Sequence, residues 1–426
     1  MEREQQGSGP EQRGARLPED RPLEGRTVLV GVTGGIAAYK AVEVVRRLAS
    51  WGAEVHVLMT RAATQLVGEA TFRELSYHPV ITDLFEPHPE VVMSHVTLAR
   101  RADLLCVCPA TADVIAKMAA GIADDALTTT YLACSAPTLV VPAMNSAMYE
   151  HPATQENLGR LRARGVTIVG PARGRLATGH EGLGRMEEPE HVLEEVRRIL
   201  YPVKDLRGRR ILVTSGPTRE PLDPVRFLSN RSSGKMGHAI ARLARWRGAD
   251  VVLVTGPTAL EPPFGVETVR VETGEQMRQA CLDRAGEADA IIMAAAVADF
   301  RPRSPAPTKI KKDDLVAHSA PLLTVALEPT PDILQELARR RRPGQILVGF
   351  AAETGDLEAL ARRKLAAKGV DLIVANDVTR PGAGFESDTN AALLLGADGT
   401  RVDVPLVTKE ALAERILEWV AARLGR

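Results

Sequence analysis

The stretch TVLVGVTGG, residues 27–35, decides the fold of the first half of the chain. The run TVLVGV is rich in β-branched residues and predicts a buried strand, and the glycine pair after it predicts a turn at the carboxyl end of that strand. Apolar residues then recur at helical spacing as far as Gly52, and Glu54–Met59 (EVHVLM) predicts a second strand. This order is a βαβ unit, in which ligands bind at the carboxyl ends of the strands.

The same pattern occurs a second time, beginning near residue 210. Arg210–Thr214 (RILVT) predicts a strand that ends in the turn Ser215-Gly216-Pro217, a helix follows from about Met236 to Arg247, and Asp250–Thr255 (DVVLVT) predicts the next strand. Two chain segments therefore each open as a doubly wound sheet, and the boundary between them falls near Tyr201–Asp205.

Further predicted elements alternate in the way that a parallel sheet requires. The predicted strands are Leu104–Cys108, Thr138–Val141, Ala290–Ala295, Ile346–Phe350 and Leu372–Ala375, and the predicted helices are Ala112–Ala120, Pro331–Arg341 and Leu357–Lys368. The fold class predicted for the chain is α/β, with two tandem doubly wound Rossmann-like domains.

Composition and charge limit the function classes. The chain has 426 residues, which is long enough for two domains, and its 54 basic and 54 acidic residues cancel, so no global positive field attracts nucleic acid or anionic lipid. Its apolar runs are too short to form a membrane span. Four cysteines are too few for a disulfide framework and indicate a reducing compartment, the cytoplasm. Cys106 and Cys108 lie on one apolar run and are interpreted as buried thiols.

Two segments do not fit the alternation. Residues 1–24 mix Gln, Gly, Pro and both charges without an apolar core, so they are predicted to be a disordered tail and not a signal peptide. Residues Phe300–Pro321 contain four prolines and a lysine cluster and are predicted to form a long functional loop.

Each motif after a strand is weak when it is taken alone. Thr33-Gly34-Gly35 can bind an anion at a helix N-terminus or can serve only close packing. The segment SNRSSGKMG (229–237) resembles a phosphate-binding loop, yet Met236 stands where a Walker A motif has Ser or Thr, which excludes a P-loop ATPase. Lys364 and Lys368 lie on one helix face and suit either solvent or a triphosphate.

Taken together and in order, the motifs resemble two enzyme families. GVTGGIAAYK, SHVTLAR, PATADVIAKMAAGIADD and PAMNSAMY are similar to the flavin-dependent phosphopantothenoylcysteine decarboxylases. TSGPTREPLDPVRFLSNRSSGKMG, AAAVADFRP, KIKK, VGFAAET and VANDV are similar to phosphopantothenate–cysteine ligase. The chain thus resembles the bacterial bifunctional enzymes of coenzyme A biosynthesis. The resemblance implies a flavodoxin-like, FMN-dependent decarboxylase domain at 25–203 and a CTP-dependent ligase domain at 204–426.

For the ligase domain, the resemblance implies that CTP and Mg²⁺ activate the carboxylate of 4′-phosphopantothenate as an acyl cytidylate, which cysteine then attacks. It makes Lys309 the catalytic lysine, and it gives Arg226 and Asn230 the role of binding the pantothenate carboxylate and the intermediate. The residues implied in CTP binding are Ala295, Ala296, Asp299, Lys309, Thr330, Pro331, Asp332, Ile333, Phe350, Lys364 and Lys368.

For the first domain, the resemblance implies oxidation of the cysteinyl group by FMN, loss of CO₂ and return of the hydride. His95 would be the active-site base, and Asn145 would bind the substrate carboxylate. The residues implied in FMN binding are Gly34, Gly35, Thr60, Pro109, Ala110 and Thr111. The resemblance also implies a homo-oligomer, a dodecamer built from trimers and dimers, with small molecules as its partners.

Two positions depart from the decarboxylase pattern. Asp113 follows PATA where the family commonly has Asn. Thr178 stands where the family commonly has the cysteine that donates a proton in the final reduction, and an alcohol is a far poorer acid than a thiol of pKa about 8.5. We hypothesise that His180, two residues later, supplies this proton through a water held by Thr178, against the simpler alternative that solvent supplies it.

Two other function classes compete with the interpretation as a decarboxylase and ligase. A regulatory protein could keep the flavoprotein fold without turnover, and the presence of His95, Asn145 and Lys309 argues against it. A nicotinamide dehydrogenase would also open with βαβ units, and the absence of G-x-G-x-x-G from both units argues against that class.

Overall fold

The computed structural model describes residues 21–84, 95–176, 179–311, 323–377, 380, 382–384 and 386–425. The chain divides after Tyr201 into two compact units. Among the described residues, no helix has both the length and the apolar character that a membrane span requires.

The first unit is an α/β sandwich around a parallel sheet. In chain order it contains β1 (Thr27–Val32), α1 (Ala38–Ser50), β2 (Glu54–Met59), a 3-10 turn (Ala63–Gln65), α2 (Glu69–Ser76), α3 (His95–Arg101), β3 (Leu104–Ala110), α4 (Ala112–Ala120), α5 (Ala126–Ala133), β4 (Thr138–Pro142), α6 (Ser146–Glu150), α7 (Pro152–Ala163), β5 (Thr167–Ile168), β6 (Ala172–Arg175), β7 (Glu181–Arg185) and α8 (Pro189–Leu200). The sheet order is β2-β1-β3-β4-β5, and every pair is parallel. This is the flavodoxin-like order, whose switch point lies between β1 and β3.

The buried strands explain why the first sheet forms. All six residues of β1 and all seven of β3 are buried, as expected for central strands that carry helices on both faces. Leu29, Leu105 and Val140 from three strands pack with Leu158 and other residues of the surrounding helices in one apolar cluster. Cys106 and Cys108 are free and buried, which confirms their interpretation as buried thiols.

The disordered tail predicted for residues 1–24 ends too late, because the described fold includes residues 21–24. Residues 1–20 lie outside the described residues. Residues 21–24, however, form a turn on the first unit, because Leu23 is buried and its backbone N–H donates to Trp51 O at 2.9 Å. The apolar side chain of Leu23, isolated among polar neighbours, is the reason that the fold begins earlier than predicted.

The second unit has a larger, mixed sheet. In chain order it contains β8 (Arg210–Ser215), β9 (Arg219–Pro221), β10 (Phe227–Ser229), α9 (Lys235–Trp246), β11 (Asp250–Thr255), β12 (Glu267–Arg270), α10 (Gly274–Ala285), β13 (Ala290–Met293), β14 (Phe300–Pro302), β15 (Leu327–Pro329), α11 (Ile333–Arg340), β16 (Ile346–Glu353), α12 (Leu357–Lys368), β17 (Leu372–Asp377), β18 (Thr389–Gly396), β19 (Arg401–Thr408) and α13 (Lys409–Leu424). The sheet order is β12-β11-β8-β13-β16-β17-β18-β19. Its first six strands are parallel in the Rossmann order, with the switch point between β8 and β13.

Two features of this unit differ from the sequence-based prediction. The sheet ends in the antiparallel strands β18 and β19, which the prediction did not include. The segment predicted to be one long loop begins with β14, which pairs antiparallel with β15. Residues 312–321 of that segment lie outside the described residues. The strand was not predicted because three residues, one of them proline, carry no readable alternation.

Candidate functional site

The residues predicted to bind flavin follow three neighbouring strands of the first unit. Gly34 and Gly35 follow β1, Thr60 follows β2, and Pro109–Thr111 end β3 and lead into α4. The carboxyl ends of parallel strands meet at one edge, so these residues lie along the edge that contains the switch point. The fold therefore brings the predicted cofactor residues together.

Thr33 joins the loops that follow β1 and β3. Its buried hydroxyl donates to Pro109 O at 2.7 Å and accepts the N–H of Thr111 at 3.0 Å. Thr111 in turn caps α4 by accepting the N–H of Val114 at 3.4 Å. These bonds fix the backbone of the predicted flavin loop before any ligand binds.

The glycine pair after β1 has two different explanations. A Cβ on Gly34 would lie 2.3 Å from Ala62 Cβ, so close packing alone requires glycine there. A Cβ on Gly35 would have no neighbour nearer than Thr111 Cγ2 at 3.5 Å. Packing therefore does not require glycine at position 35, which is consistent with an open approach to a ligand.

Asn145 lies between the end of β4 and a glycine-rich hairpin. Its Oδ1 caps α6 by accepting the N–H of Ala147 at 2.9 Å, which orients Nδ2 as the remaining donor of the amide. The hairpin of β6 and β7 is bonded next to it, because Met144 N donates to Gly184 O at 2.9 Å. The predicted carboxylate-binding amide and the segment that carries His180 are thus adjacent.

The other predicted residues of this unit are only partly placed. The backbone of His95 begins α3, and its side chain lies outside the described part of the chain. Thr178 also lies outside the described residues. His180 is exposed at the hairpin turn, where its carbonyl accepts the N–H of Leu176 at 2.9 Å. Asp113 is exposed in the first turn of α4 and lies 3.4 Å from Lys117 Nζ.

A cavity of about 560 Å³ opens at the switch point of the second unit. Most residues predicted to bind CTP line it, although they come from four separate stretches of sequence. These residues are Ala295, Ala296, Asp299, Thr330, Pro331, Asp332, Ile333, Phe350, Lys364 and Lys368. Asn230, which was predicted to bind the second substrate, lines the same cavity. Its Nδ2 donates to Ala296 O at 3.2 Å and to Val297 O at 3.1 Å, so it also fixes the loop after β13.

The N-terminus of α9 faces this cavity, with Ser232–Gly237 among the lining residues. Gly234 has a positive φ of 80° directly before the helix. Gly237 packs against β8 so closely that a Cβ would lie 2.5 Å from Ser215 Cβ and 2.7 Å from Thr214 O. The glycines therefore position a helix N-terminus, which binds anions through its backbone N–H groups and its dipole.

Lysines surround the cavity, and carboxylates neutralise them. Lys364 Nζ lies 3.8 Å from Glu353, and Lys368 forms an ion pair with Asp332. Lys235, in the first turn of α9, lies 2.6 Å from Asp388 Oδ1. A lysine in such an ion pair can exchange the carboxylate for a phosphate group, because both offer anionic oxygens that accept its hydrogen bonds.

Arg226 and Lys309 lie together but not among the residues that line this cavity. Arg226 Nη1 donates to Ile310 O at 3.1 Å and lies 3.1 Å from Asp223 Oδ2. Asp223 also accepts the N–H of Ile310 at 3.2 Å. Burial raises the pKa of this carboxyl, but the N–H groups of Val225, Ile310 and Arg226 hold it below its usual value. The exposed Lys309 is thus tethered through Ile310, its neighbour in the chain.

Sequence reasoning missed one wall of the cavity. Asn376, Gly384, Asn390 and Lys409 line it. Asn376, Asn390 and Lys409 lie at the ends of β17, β18 and α13, and Gly384 lies in the segment before β18. VANDV contains Asn376, but its resemblance assigned no role to that residue. Asn390 and Lys409 carry no local motif, since they meet only through the pairing of β18 with β19, which the sequence did not predict.

A cluster of two histidines and a glutamate lies at the opposite end of the first sheet. Within the described chain, Glu54, His56 and His78 are the group whose ligand atoms are close enough to hold a metal ion. Arg101, however, already donates to both carboxylate oxygens of Glu54, at 3.1 and 2.9 Å. Burial lowers the pKa of His56, although the hydrogen bond that its Nε2 makes to the Glu54 carboxylate opposes this shift. The charge of the Glu54 carboxylate is thus balanced by Arg101, and the cluster does not require a metal ion.

Two family models match the chain, one for each unit. Residues 16–200 match the family described as Flavoprotein, and residues 206–424 match the DNA/pantothenate metabolism flavoprotein C-terminal domain. A solved structure titled as the C-terminal domain of coenzyme A biosynthesis bifunctional protein CoaBC is 41% identical, with a TM-score of 0.44, over 52% of this chain and 98% of that one. A PPC decarboxylase mutant complexed with pantothenoylaminoethenethiol is 30% identical, with a TM-score of 0.37, over 40% of this chain and 96% of that one.

Nearly the whole length of the chain is matched by curated relatives. One of them, the coenzyme A biosynthesis bifunctional protein CoaBC of Bacillus subtilis (strain 168), is 45% identical over 403 residues, which span 94% of this chain and 98% of the relative. The two units, in the same order and at this identity, admit one conclusion. The chain belongs to the family of bifunctional coenzyme A biosynthesis proteins.

Proposed function

We propose that this chain joins cysteine to 4′-phosphopantothenate at the expense of CTP and then decarboxylates the product to 4′-phosphopantetheine with FMN. One observation carries the proposal. Ten of the eleven residues predicted for CTP line a single cavity at the Rossmann switch point, together with a helix N-terminus and three paired lysines. A polyphosphate is the ligand class that such a combination binds.

The ligation chemistry concentrates negative charge. The substrate carboxylate attacks the α-phosphorus of CTP and pyrophosphate leaves. The cysteine amine then attacks the acyl carbonyl, loses a proton and expels CMP. Lys364, Lys368 and the α9 N-terminus bind the polyphosphate, and Asp299 and Asp332 supply the oxygen donors that Mg²⁺ prefers. Lys309, on its exposed tether, stabilises the charge that develops at the reacting phosphate.

The decarboxylation is proposed for the edge of the first sheet. Gly34, Gly35, Thr60 and Pro109–Thr111 would hold FMN, and the bonds of Thr33 show that their backbone is already fixed. When bound, FMN supplies two-electron redox chemistry to the cysteinyl group. His95 removes the proton that this oxidation releases, and Asn145 Nδ2 donates to the substrate carboxylate.

Two wider assignments follow from the same proposal. We propose the cytoplasm as the compartment, which is supported by four cysteines that are all free. We also propose an assembly of trimers and dimers into a dodecamer. Ile36 and Tyr39, 69% and 64% exposed beside the predicted flavin loop, support a covered surface there. Native mass spectrometry of the full chain measures the assembly, and a monomer would contradict it.

A crossed pair of variants tests both activities. Lys309→Gln is expected to lower ligation by about 10²-fold or more, as loss of one transition-state charge contact does, and to decarboxylate supplied phosphopantothenoylcysteine normally. His95→Asn is expected to ligate normally and to lose decarboxylation by about 10²-fold or more. Mass spectrometry of the products, with CTP, cysteine and phosphopantothenate supplied, measures both steps, and His95→Asn should accumulate phosphopantothenoylcysteine.

The outcomes separate the competing functions. Lys311→Gln, a neighbouring exposed lysine of the same loop, is the matched control and should behave as the wild type. Loss of both activities in either variant would indicate a folding role for that residue. A yellow protein that ligates nothing and decarboxylates nothing would instead be the regulatory flavoprotein.

A further inference from the structure

Lys409 is a buried lysine on the unpredicted wall of the ligase cavity. It is the first residue of α13, is 6% exposed, and lines the cavity that also contains Lys235, Lys364 and Lys368. A buried ammonium is costly unless it is hydrogen-bonded or paired, so its partners indicate what it does.

Among the described residues, Lys409 contacts backbone carbonyls of the segment before β18. Its Nζ donates to Gly384 O at 3.1 Å and to Ser387 O, and its backbone N–H donates to Asp388 O at 3.0 Å. These contacts fix the segment at three points that lie directly before β18. Lys409 therefore orders the backbone that leads into the cavity wall.

The same segment is bound from its other side by Lys235. The Nζ of Lys235 donates to Glu386 O at 3.0 Å and lies 2.6 Å from Asp388 Oδ1. Lys235 stands in the first turn of α9, where the helix N-terminus faces the cavity. The segment thus connects Lys409 to the lysine at the anion-binding end of the site.

Two observations show that this wall is built for a ligand. Asn390 Oδ1 is buried on the wall and has no hydrogen-bond partner within the described chain. The ammonium groups of Lys235 and Lys409 are close enough to influence each other electrostatically, and Lys235 Nζ lies 2.6 Å from Asp388 Oδ1. Burial, together with the charge of Lys235, lowers the pKa of Lys409 to about 8, although Asp388 opposes the shift. An anion that also carries hydrogen-bond donors would pair with these lysines and would supply a donor to Asn390 Oδ1.

We infer that Lys409 is a positioning residue for the polyphosphate of the nucleotide. It acts through the segment that it orders, which sets Lys235 at the N-terminus of α9, and its own charge attracts the polyphosphate across the cavity. The inference rests on the proposed function, since it assumes that CTP binds here. It adds to that function a cavity wall for which the sequence had predicted no contact with a nucleotide.

The dependence of CTP binding on pH follows from this arrangement. An anion near a lysine favours the charged form, so affinity is full below the pKa of free Lys409 and falls as the pH rises through about 8. The charged groups that face Lys409 are Lys235 on α9, Asp388 before β18, and the Arg242–Glu410 pair between α9 and α13. Lys409→Arg keeps the charge over this range, because the guanidinium pKa is about 12.5 or higher.

Calorimetric titration of the full-length protein with MgCTP from pH 7 to pH 9 tests the inference. The wild type should lose affinity above pH 8, Lys409→Arg should lose much less, and Lys409→Met should bind about ten-fold more weakly at pH 7, the loss expected for a charge-assisted contact. The control is Lys204→Met, which removes another lysine bound to a carbonyl, at 2.6 Å from Trp246 O, away from the cavity. Thermal unfolding of the two Met variants measures how much each substitution lowers the stability of the fold.

The results distinguish this inference from the proposed function. If the wild type does not bind CTP, the proposed function fails. If the wild type binds CTP but Lys409→Met binds it equally well, only the inference is overturned. The same holds if the wild type and Lys409→Arg show identical pH profiles, because a lysine that served folding alone would not change the profile.

Discussion

The residue that departs most from the family pattern, Thr178, bears on the last step of the proposed decarboxylation. A threonine hydroxyl cannot replace a thiol as an acid, since its proton is not released near neutral pH. The hairpin of β6 and β7 brings His180 into the same segment, and Met144 N bonds that hairpin to the loop of Asn145. The amide that is proposed to bind the substrate carboxylate and the imidazole of His180 are therefore carried by adjacent backbone segments.

We predict that His180→Gln releases CO₂ from phosphopantothenoylcysteine at close to the native rate but forms less phosphopantetheine. Without a proton donor, the oxidised enethiol product should accumulate, because the hydride cannot be returned efficiently without the proton. Mass spectrometry of the products between pH 6 and pH 8 measures the ratio. Thr178→Cys in the same variant should restore the yield. An unchanged ratio in His180→Gln would show that solvent supplies the proton.

The extent to which single residues can be predicted depends on where their partners lie in sequence. Asn230 belongs to a local motif, and it lines the cavity that contains most of the residues predicted to bind CTP. Lys409 could not be found in this way, because its partners Gly384 and Ser387 lie more than twenty residues away across a hairpin. The prediction that Lys309 is catalytic remains untested by the geometry, since the lysine is exposed and only its neighbour Ile310 is fixed.

At the scale of elements, the position of α9 determines the shape of the cavity that is proposed to bind the nucleotide. Gly237 allows the first turn of this helix to touch β8, with no space for a methyl group against Ser215 and Thr214. His238, one residue later, is buried, and its Nδ1 lies 2.9 Å from Ser215 Oγ and 3.0 Å from Gly234 O. Strand, turn and helix are thus joined by contacts that a shift of the helix would break.

We predict that Gly237→Ala weakens CTP binding by at least about ten-fold and lowers the stability of the second unit by about 1–3 kcal/mol, the usual cost of overpacking. The added methyl group would meet backbone as well as side-chain atoms, so the helix itself must move. Calorimetric titration and thermal unfolding measure the two effects. Gly286→Ala is the matched control, because nothing lies within 4 Å of its Cβ and its φ of −61° suits alanine. Equal behaviour of the two variants would contradict the prediction.

Prediction of the elements succeeded where buried parallel strands give continuous apolar runs. β1, β2 and β11 lie where the sequence placed them, and α12 has the predicted bounds. The antiparallel pair β18 and β19 was not predicted, because a partly exposed edge strand such as RVDVPLVT mixes polar residues and proline. Asn390 and Lys409 line one wall of the cavity and lie on or directly after this pair of strands. They were therefore missed for the same reason as the strands.

At the scale of the whole molecule, the chain contains two sheets with separate apolar cores. The core of the first unit is built from residues such as Leu105 and Ile115, and that of the second from residues such as Ile291 and Leu347. The chain divides after Tyr201, close to the boundary that the repeated βαβ pattern indicates. Units of about 200 residues bury enough apolar surface to be stable alone.

We predict that residues 202–426, expressed alone, fold and ligate cysteine to phosphopantothenate with CTP, because every described residue of that cavity belongs to the second unit. Circular dichroism and the ligation assay measure the result. A fragment that begins at Arg247 is the matched control, since it lacks β8 and α9, and it should neither fold cooperatively nor bind CTP. A fragment 202–426 that folds but does not ligate would show that the first unit contributes to the ligation site, and an unfolded one would show that the two cores are not independent.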